Sequence, residues 1–215
     1  MNAGKPLWSW SNLPNLITLS RLILSVVLFV LLSRIEEPNL VLPDLWAGAK
    51  DRAVLYNVSL VLFLVAAFSD ILDGELARRW KSISAFGRIA DPFVDKITNC
   101  GCFVFFASVE GNERLVSTWM VVLILGREFL VTGLRGYMEG QGRKFPSNLS
   151  GKIKMVIQCV AIGAIFCYHA NFEHQPWAYL FAQSVLWLAL ASTFWSGWVY
   201  LASTFRSWPD GETGK

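Results

Sequence analysis

The sequence predicts an all-α, polytopic membrane protein with about six transmembrane helices around a polar, cytoplasm-facing cavity. Of 215 residues, 54% are hydrophobic and 16% charged, too apolar a balance for an ordinary soluble domain. The apolar residues gather into six runs, each near the roughly 20 residues that a helix needs to cross a bilayer. A group of four aspartates falls within the second and third runs, where an unpaired carboxylate costs several kcal/mol and therefore marks a functional site.

The polar segment 1–14 carries Trp8 and Trp10 and ends near Pro14. It lacks a small-residue cleavage site after the first apolar run, so it reads as an interfacial segment ahead of a retained span. The spans are expected at 15–34, 53–79, 87–108, 115–138, 150–170 and 177–205. Residues 15–205 thus make one membrane domain, and 206–215 a tail. The longest connection, 35–52, separates the first two spans. The second ends in Arg78, Arg79 and Lys81, with Arg88 at the start of the third. The fourth is interrupted by Arg127, Glu128 and Arg135, and the fifth follows Arg143 and Lys144. The sixth is the longest.

These basic residues fall on one side of the membrane if the helices alternate, and most acidic loop residues, such as Glu36, Asp44, Glu110 and Glu173, fall on the other. The positive-inside rule then puts both termini in the cytoplasm. Ten tryptophans, mostly near span ends, fit an aromatic belt. His169 and His174 are expected at the interface on the far side, and the four cysteines, without CxxC spacing, as buried small apolar groups.

Residues 70–95, DILDGELARRWKSISAFGRIADPFVD, carry the chemistry. Asp70 and Asp73 are i,i+3 and Asp91 and Asp95 are i,i+4, so each pair can project from one helix face. Two such helices facing each other converge four carboxylates. Oxygen-only ligands favour hard divalent cations such as Mg2+ or Mn2+, and four carboxylates suffice for two ions about 3.5–4 Å apart, a clamp suited to displacement at phosphorus. Gly74 and Gly87 allow close approach of a ligand or a neighbouring helix, and Arg78 offers a guanidinium fork to a phosphate. Singly, an aspartate pair is a solvated helix face and a glycine a packing contact; the register of the whole frame argues for a site.

The frame from Asp70 to Asp95 resembles the signature of the CDP-alcohol phosphotransferases. The resemblance implies a six-helix membrane enzyme, usually a homodimer, that binds a CDP-activated donor and two divalent metals on Asp70, Asp73, Asp91 and Asp95. It implies that Asp95 is the catalytic base that deprotonates the acceptor alcohol. Asn15, Thr18, Gly74, Arg78, Ser84 and Gly87 are the residues it implies for the donor, CDP-diacylglycerol. PNLITLSR at 14–21, DPFVDK at 91–96 and the stretch 126–158 are similar to the branch of the family that uses glycerol 3-phosphate as acceptor. Gly136 and Met155 depart from that branch's pattern, where an acid and a threonine are expected.

Charge supports a phosphorylated acceptor independently, because Arg127, Arg135 and Lys152 are expected on the side of the aspartates and would attract a phosphate dianion. Arg127 and Arg135, eight residues apart, lie broadly on one helix face. Lys152 and Lys154 cannot share a face, and Lys152 is the one assigned here to the acceptor phosphate. Glu128 is expected to pair with a basic neighbour rather than to catalyse. The expected reaction joins phosphatidyl to glycerol 3-phosphate with release of CMP, in phospholipid biosynthesis at a bacterial inner membrane, with membrane lipids as surroundings and no nucleic-acid partner. Phosphatidylglycerol, inositol phosphate or serine are the alternative acceptors. A transporter is the rival from another class, disfavoured by acids clustered toward one side and by the lack of an inverted repeat.

Overall fold

The computed structural model describes residues 13–36, 52–80, 85–109, 115–141 and 149–206; for 13–18, 36, 70–80, 85–92, 95, 139, 205 and 206 the description is of helical backbone. The described chain is all-helical, with α1 Leu13–Glu36, α2 Arg52–Trp80, α3 Ala85–Ser108, α4 Thr118–Gly140, α5 Leu149–Asn171 and α6 Pro176–Arg206. Every helix starts and ends within three residues of the span expected from sequence. By length and composition, α5 and the segments Arg52–Ser69 of α2 and Pro176–Thr204 of α6 are apolar enough to cross a membrane.

Local chemistry explains the boundaries where connections are described. α4 starts at 118 rather than 115 because the Ser117 carbonyl accepts the first helical hydrogen bonds, from the N–H groups of Met120 and Val121. α5 and α6 form a hairpin whose turn is closed by Gln175 N–H donating to the Phe172 carbonyl at 3.0 Å, with His174 in the left-handed region at φ 78°. Pro176 then opens α6, where its missing N–H costs nothing and its fixed φ is already helical.

Pairings along the helices fix their directions. Ser25 meets Thr98, and a side chain at Gly101 would run into Phe29, so α1 and α3 run parallel. Asn57 at the start of α2 bonds Asn171 at the end of α5, an antiparallel pair. Gln158 bonds Thr193, while Tyr168 packs on Tyr179, so α5 and α6 are also antiparallel. Trp119 packs on Trp187, and Arg127 bonds Ser196, so α4 and α6 are parallel. Successive helices therefore alternate. The beginnings of α1, α3 and α5 and the ends of α2, α4 and α6 share one end of the bundle.

Among the described residues, that end buries Arg21, Ser25, Thr98, Glu128, Lys154, Ser196 and Thr204. Away from it, Phe63, Phe103, Phe106, Ile162, Ile165, Phe166 and Leu186 are completely or almost completely buried, with Phe106 edge-on to Phe166 at 4.8 Å between ring centroids. His169, near the end of α5, packs into this core: it is buried and stacks on Tyr56 at 5.3 Å. His174, by contrast, is exposed as expected. The outer surface is apolar, with Phe68, Val122, Phe129, Leu180, Trp195 and Trp198 all exposed, the inverse of a soluble protein and the face that lipid would cover. In lipid, packing and interhelical hydrogen bonds hold the helices together, since tails are as apolar as the side chains they replace.

Candidate active site

The four aspartates stand where the bundle's polar end needs them. Asp70 and Asp73 lie in the second half of α2, and Asp91 and Asp95 in the first half of α3, beyond a connection of only four residues. Both helices pack on α1 and on α5. The i,i+3 and i,i+4 spacings are thus carried on continuous helix. The side chains of all four, of Asn15, Thr18 and Arg78, and the surroundings of Gly74 and Gly87 lie outside the described residues, as does the whole of Ser84.

The cationic part is described in detail. Arg127, half-way along α4, donates from Nη1 to Glu128 Oε1 at 3.3 Å and from Nη2 to Ser196 Oγ on α6 at 2.5 Å. Its stem lies along α6 over Gly197, where a Cβ would come within 3.2 Å of Arg127 Cγ. Two helical turns later, Arg135 donates to the Tyr200 hydroxyl at 3.3 Å. Tyr200 is the common platform, because the guanidinium carbons of Arg127 and Arg135 lie 5.6 and 6.0 Å from its ring centroid, within cation–π range. Both arginines expected from sequence therefore meet at one ring.

The α5 lysines divide as their spacing requires. Lys152 is exposed, whereas Lys154 is buried and bonded to Glu128 Oε1. The expected pairing of Glu128 with basic neighbours is thus observed, and it involves two of them, Lys154 and Arg127. Lys96, the residue after Asp95, donates to Thr132 Oγ1, and Thr132 in turn donates to the Glu128 carbonyl. That contact holds the α3 backbone at Asp95 beside the α4 turn that carries Arg127 and Glu128. Deeper in, Ser25 and Thr98 share a hydrogen bond of 2.5 Å between α1 and α3, and Gln158 donates to Thr193 at 3.0 Å between α5 and α6. In lipid each such bond contributes on the order of 0.6 kcal/mol.

Sequence reasoning passed over Ser196 and Tyr200. Their signal is the series Thr193, Ser196, Tyr200 and Thr204, spaced by three, four and four in an otherwise apolar helix, and all four are buried. A polar stripe at helical spacing in a membrane span faces protein rather than lipid. Lys96 was likewise overshadowed by the neighbouring aspartate.

The bundle thus carries the aspartates on α2 and α3, and guanidinium and ammonium groups on α4 and α5, inside a helical protein with an apolar outer surface. The chain belongs to the CDP-alcohol phosphatidyltransferase family, whose model matches residues 11–195 and so spans the complete aspartate frame. Among its relatives is the CDP-diacylglycerol–glycerol-3-phosphate 3-phosphatidyltransferase of Bacillus subtilis strain 168, 31% identical over 91% of this chain and 96% of that protein. The proteins of the same name from Salmonella choleraesuis, 31% identical, and Rickettsia felis, 26% identical, match 89% and 88% of this chain and 94% and 93% of their own lengths.

Proposed function

We propose that this protein transfers the phosphatidyl group of CDP-diacylglycerol to glycerol 3-phosphate, giving phosphatidylglycerol phosphate and CMP. One observation carries the reading: relatives that match this chain over nine-tenths of their own length are named for that reaction. The meeting of Arg127 and Arg135 at Tyr200, two cations suited to a phosphorylated acceptor, supports it.

The donor set of Asp70, Asp73, Asp91 and Asp95, oxygen-only and brought to one end of the bundle by α2 and α3, fits two divalent ions, Mg2+ or Mn2+. Bound there, the ions would neutralise negative charge on the donor's pyrophosphate. Arg78, one turn beyond Gly74, steadies the same pyrophosphate, and Asn15, Thr18, Ser84 and Gly87 complete the donor's surroundings. Arg127, Arg135 and Lys152 hold the acceptor phosphate. Asp95 accepts the proton of the acceptor's 1-hydroxyl as its oxygen attacks the lipid-proximal phosphorus in line. The new phosphorus–oxygen bond forms as the bond to CMP breaks, and CMP leaves with that electron pair.

All six helices span the membrane in this reading, enclosing a polar cavity at the end that carries the aspartates. Arg78, Arg79, Arg88, Arg135 and Lys152 belong to that end, which the positive-inside rule assigns to the cytoplasm, with both termini. The protein then works in a bacterial inner membrane as a homodimer, the acyl chains of its donor remaining in lipid. The test is to give purified protein in detergent CDP-diacylglycerol, Mg2+ and separately labelled acceptors, and to follow CMP release and label entering lipid. Incorporation of glycerol 3-phosphate alone is expected; incorporation of phosphatidylglycerol, inositol phosphate or serine instead would discard the acceptor assignment.

A further inference from the structure

We propose that Glu128 is a positioning residue for the acceptor, holding the Arg127 guanidinium in the one orientation that receives the phosphate of glycerol 3-phosphate; this rests on the acceptor reading above. Glu128 is 8% exposed and stands, among the described residues, as the one buried acidic side chain. Its surroundings are cationic, with Arg127 beside it, Lys154 facing it from α5 and Lys96 bonded to Thr132 one turn further along α4.

Stability alone is a weak reason for such a cluster. Desolvating three charged groups costs more than their attraction returns in many proteins, and apolar residues of the same size often hold a fold at least as well. The geometry supplies another reason. Lys154 Nζ and Arg127 Nη1 converge on a single carboxylate oxygen, Oε1, while Ser196 takes the other terminal nitrogen, Nη2, from the α6 side. The guanidinium is therefore gripped at both tips by two different helices, with its stem lying on Gly197.

Each terminal nitrogen of an arginine carries two N–H groups, so each keeps one for a phosphate oxygen after bonding Glu128 or Ser196. Removing the Glu128 charge frees one tip, and a fork that must match two phosphate oxygens at once loses its fixed angle. The carboxylate has a second effect. Against Arg127 and Lys154 it leaves one net positive charge, which keeps the empty site from repelling its own lysine while still attracting a dianion.

The experiment measures kcat and both KM values for the full-length enzyme in detergent with Mg2+, comparing wild type with Glu128→Gln, Glu128→Asp and the double variant Glu128→Gln, Lys154→Gln. The double variant removes both members of the more buried pair and leaves Arg127 alone without its carboxylate, still bonded to Ser196 Oγ, so it burdens folding less than the single variant, which strands Lys154 as well. Expected is a rise of about tenfold or more in KM for glycerol 3-phosphate in Glu128→Gln and in the double variant, with KM for CDP-diacylglycerol within about twofold and kcat within about threefold of wild type. Glu128→Asp, which keeps the charge, recovers most of the loss. A parallel fall in turnover with neither KM changed, or a double variant with a wild-type KM for glycerol 3-phosphate, would overturn the proposal and leave a purely structural ion pair. Wild-type protein that incorporates a different alcohol removes the acceptor reading itself, and this is seen before any variant is made.

Discussion

Arg135 of α4 donates a hydrogen bond to the hydroxyl of Tyr200 on α6 at 3.3 Å and also lies over the ring of that tyrosine, 6.0 Å from its centroid. One aromatic side chain thus fixes a cation by its edge and by its face. Because Arg127 is held over the same ring, Tyr200 couples two residues of the proposed acceptor site that are eight positions apart. Tyr200→Phe keeps the ring and removes the hydroxyl, and is expected to raise KM for glycerol 3-phosphate by about threefold. Tyr200→Leu removes both contacts and is expected to raise it by roughly thirtyfold. Steady-state kinetics with each substrate varied in turn checks the order of the two effects.

Asp95→Asn should bind CDP-diacylglycerol as wild type does yet turn over at least about a thousandfold more slowly, since the amide cannot accept the acceptor's proton. Donor binding measured beside CMP release separates the two roles of the residue. Turnover at the wild-type rate would rule out Asp95 as the base.

Activity should vanish on treatment with a chelator and return on adding Mg2+ or Mn2+, as four carboxylates gathered without a cation repel one another. Activity that survives exhaustive chelation would contradict the two-ion reading.

Gly197→Val should act at the acceptor site, because even a Cβ there would press on the Arg127 stem. A rise of about tenfold in KM for glycerol 3-phosphate is expected, with the donor KM little changed.

Gly101→Val should do the opposite. A side chain at this position collides with the Phe29 ring, between α1 and α3. Overpacking of this kind costs about 1–3 kcal/mol, and thermal unfolding in detergent should register it, while the KM values of the protein that remains folded stay at wild type.

Much of the fold was legible because two signals are strong in membrane sequences. Apolar runs must be long enough to cross lipid, and so the helix bounds followed within three residues. Charge inside such runs is costly, and so Arg127 and Arg135 announced themselves. Tyr200 and Ser196 did not, since each is a common residue in a span and gains its meaning from what α4 sets against it. Lys154 is the plainest case. Sequence spacing separated it from Lys152, which is assigned to the acceptor phosphate, and the packing of α5 and of α4 against α6 buries Lys154 on Glu128.

By itself, the sequence determined the helical class, the order of the helices and the register of the aspartate frame, because those depend on hydropathy and on spacing along one helix. Tertiary structure alone decided that α4 packs on α6, that Tyr200 gathers Arg127 and Arg135, that Lys96 ties the backbone at Asp95 to the α4 turn at Glu128, and that His169 joins an aromatic core. Those are contacts between residues distant in the chain, and their geometry is set by how helix surfaces interlock, which no local pattern of residues encodes.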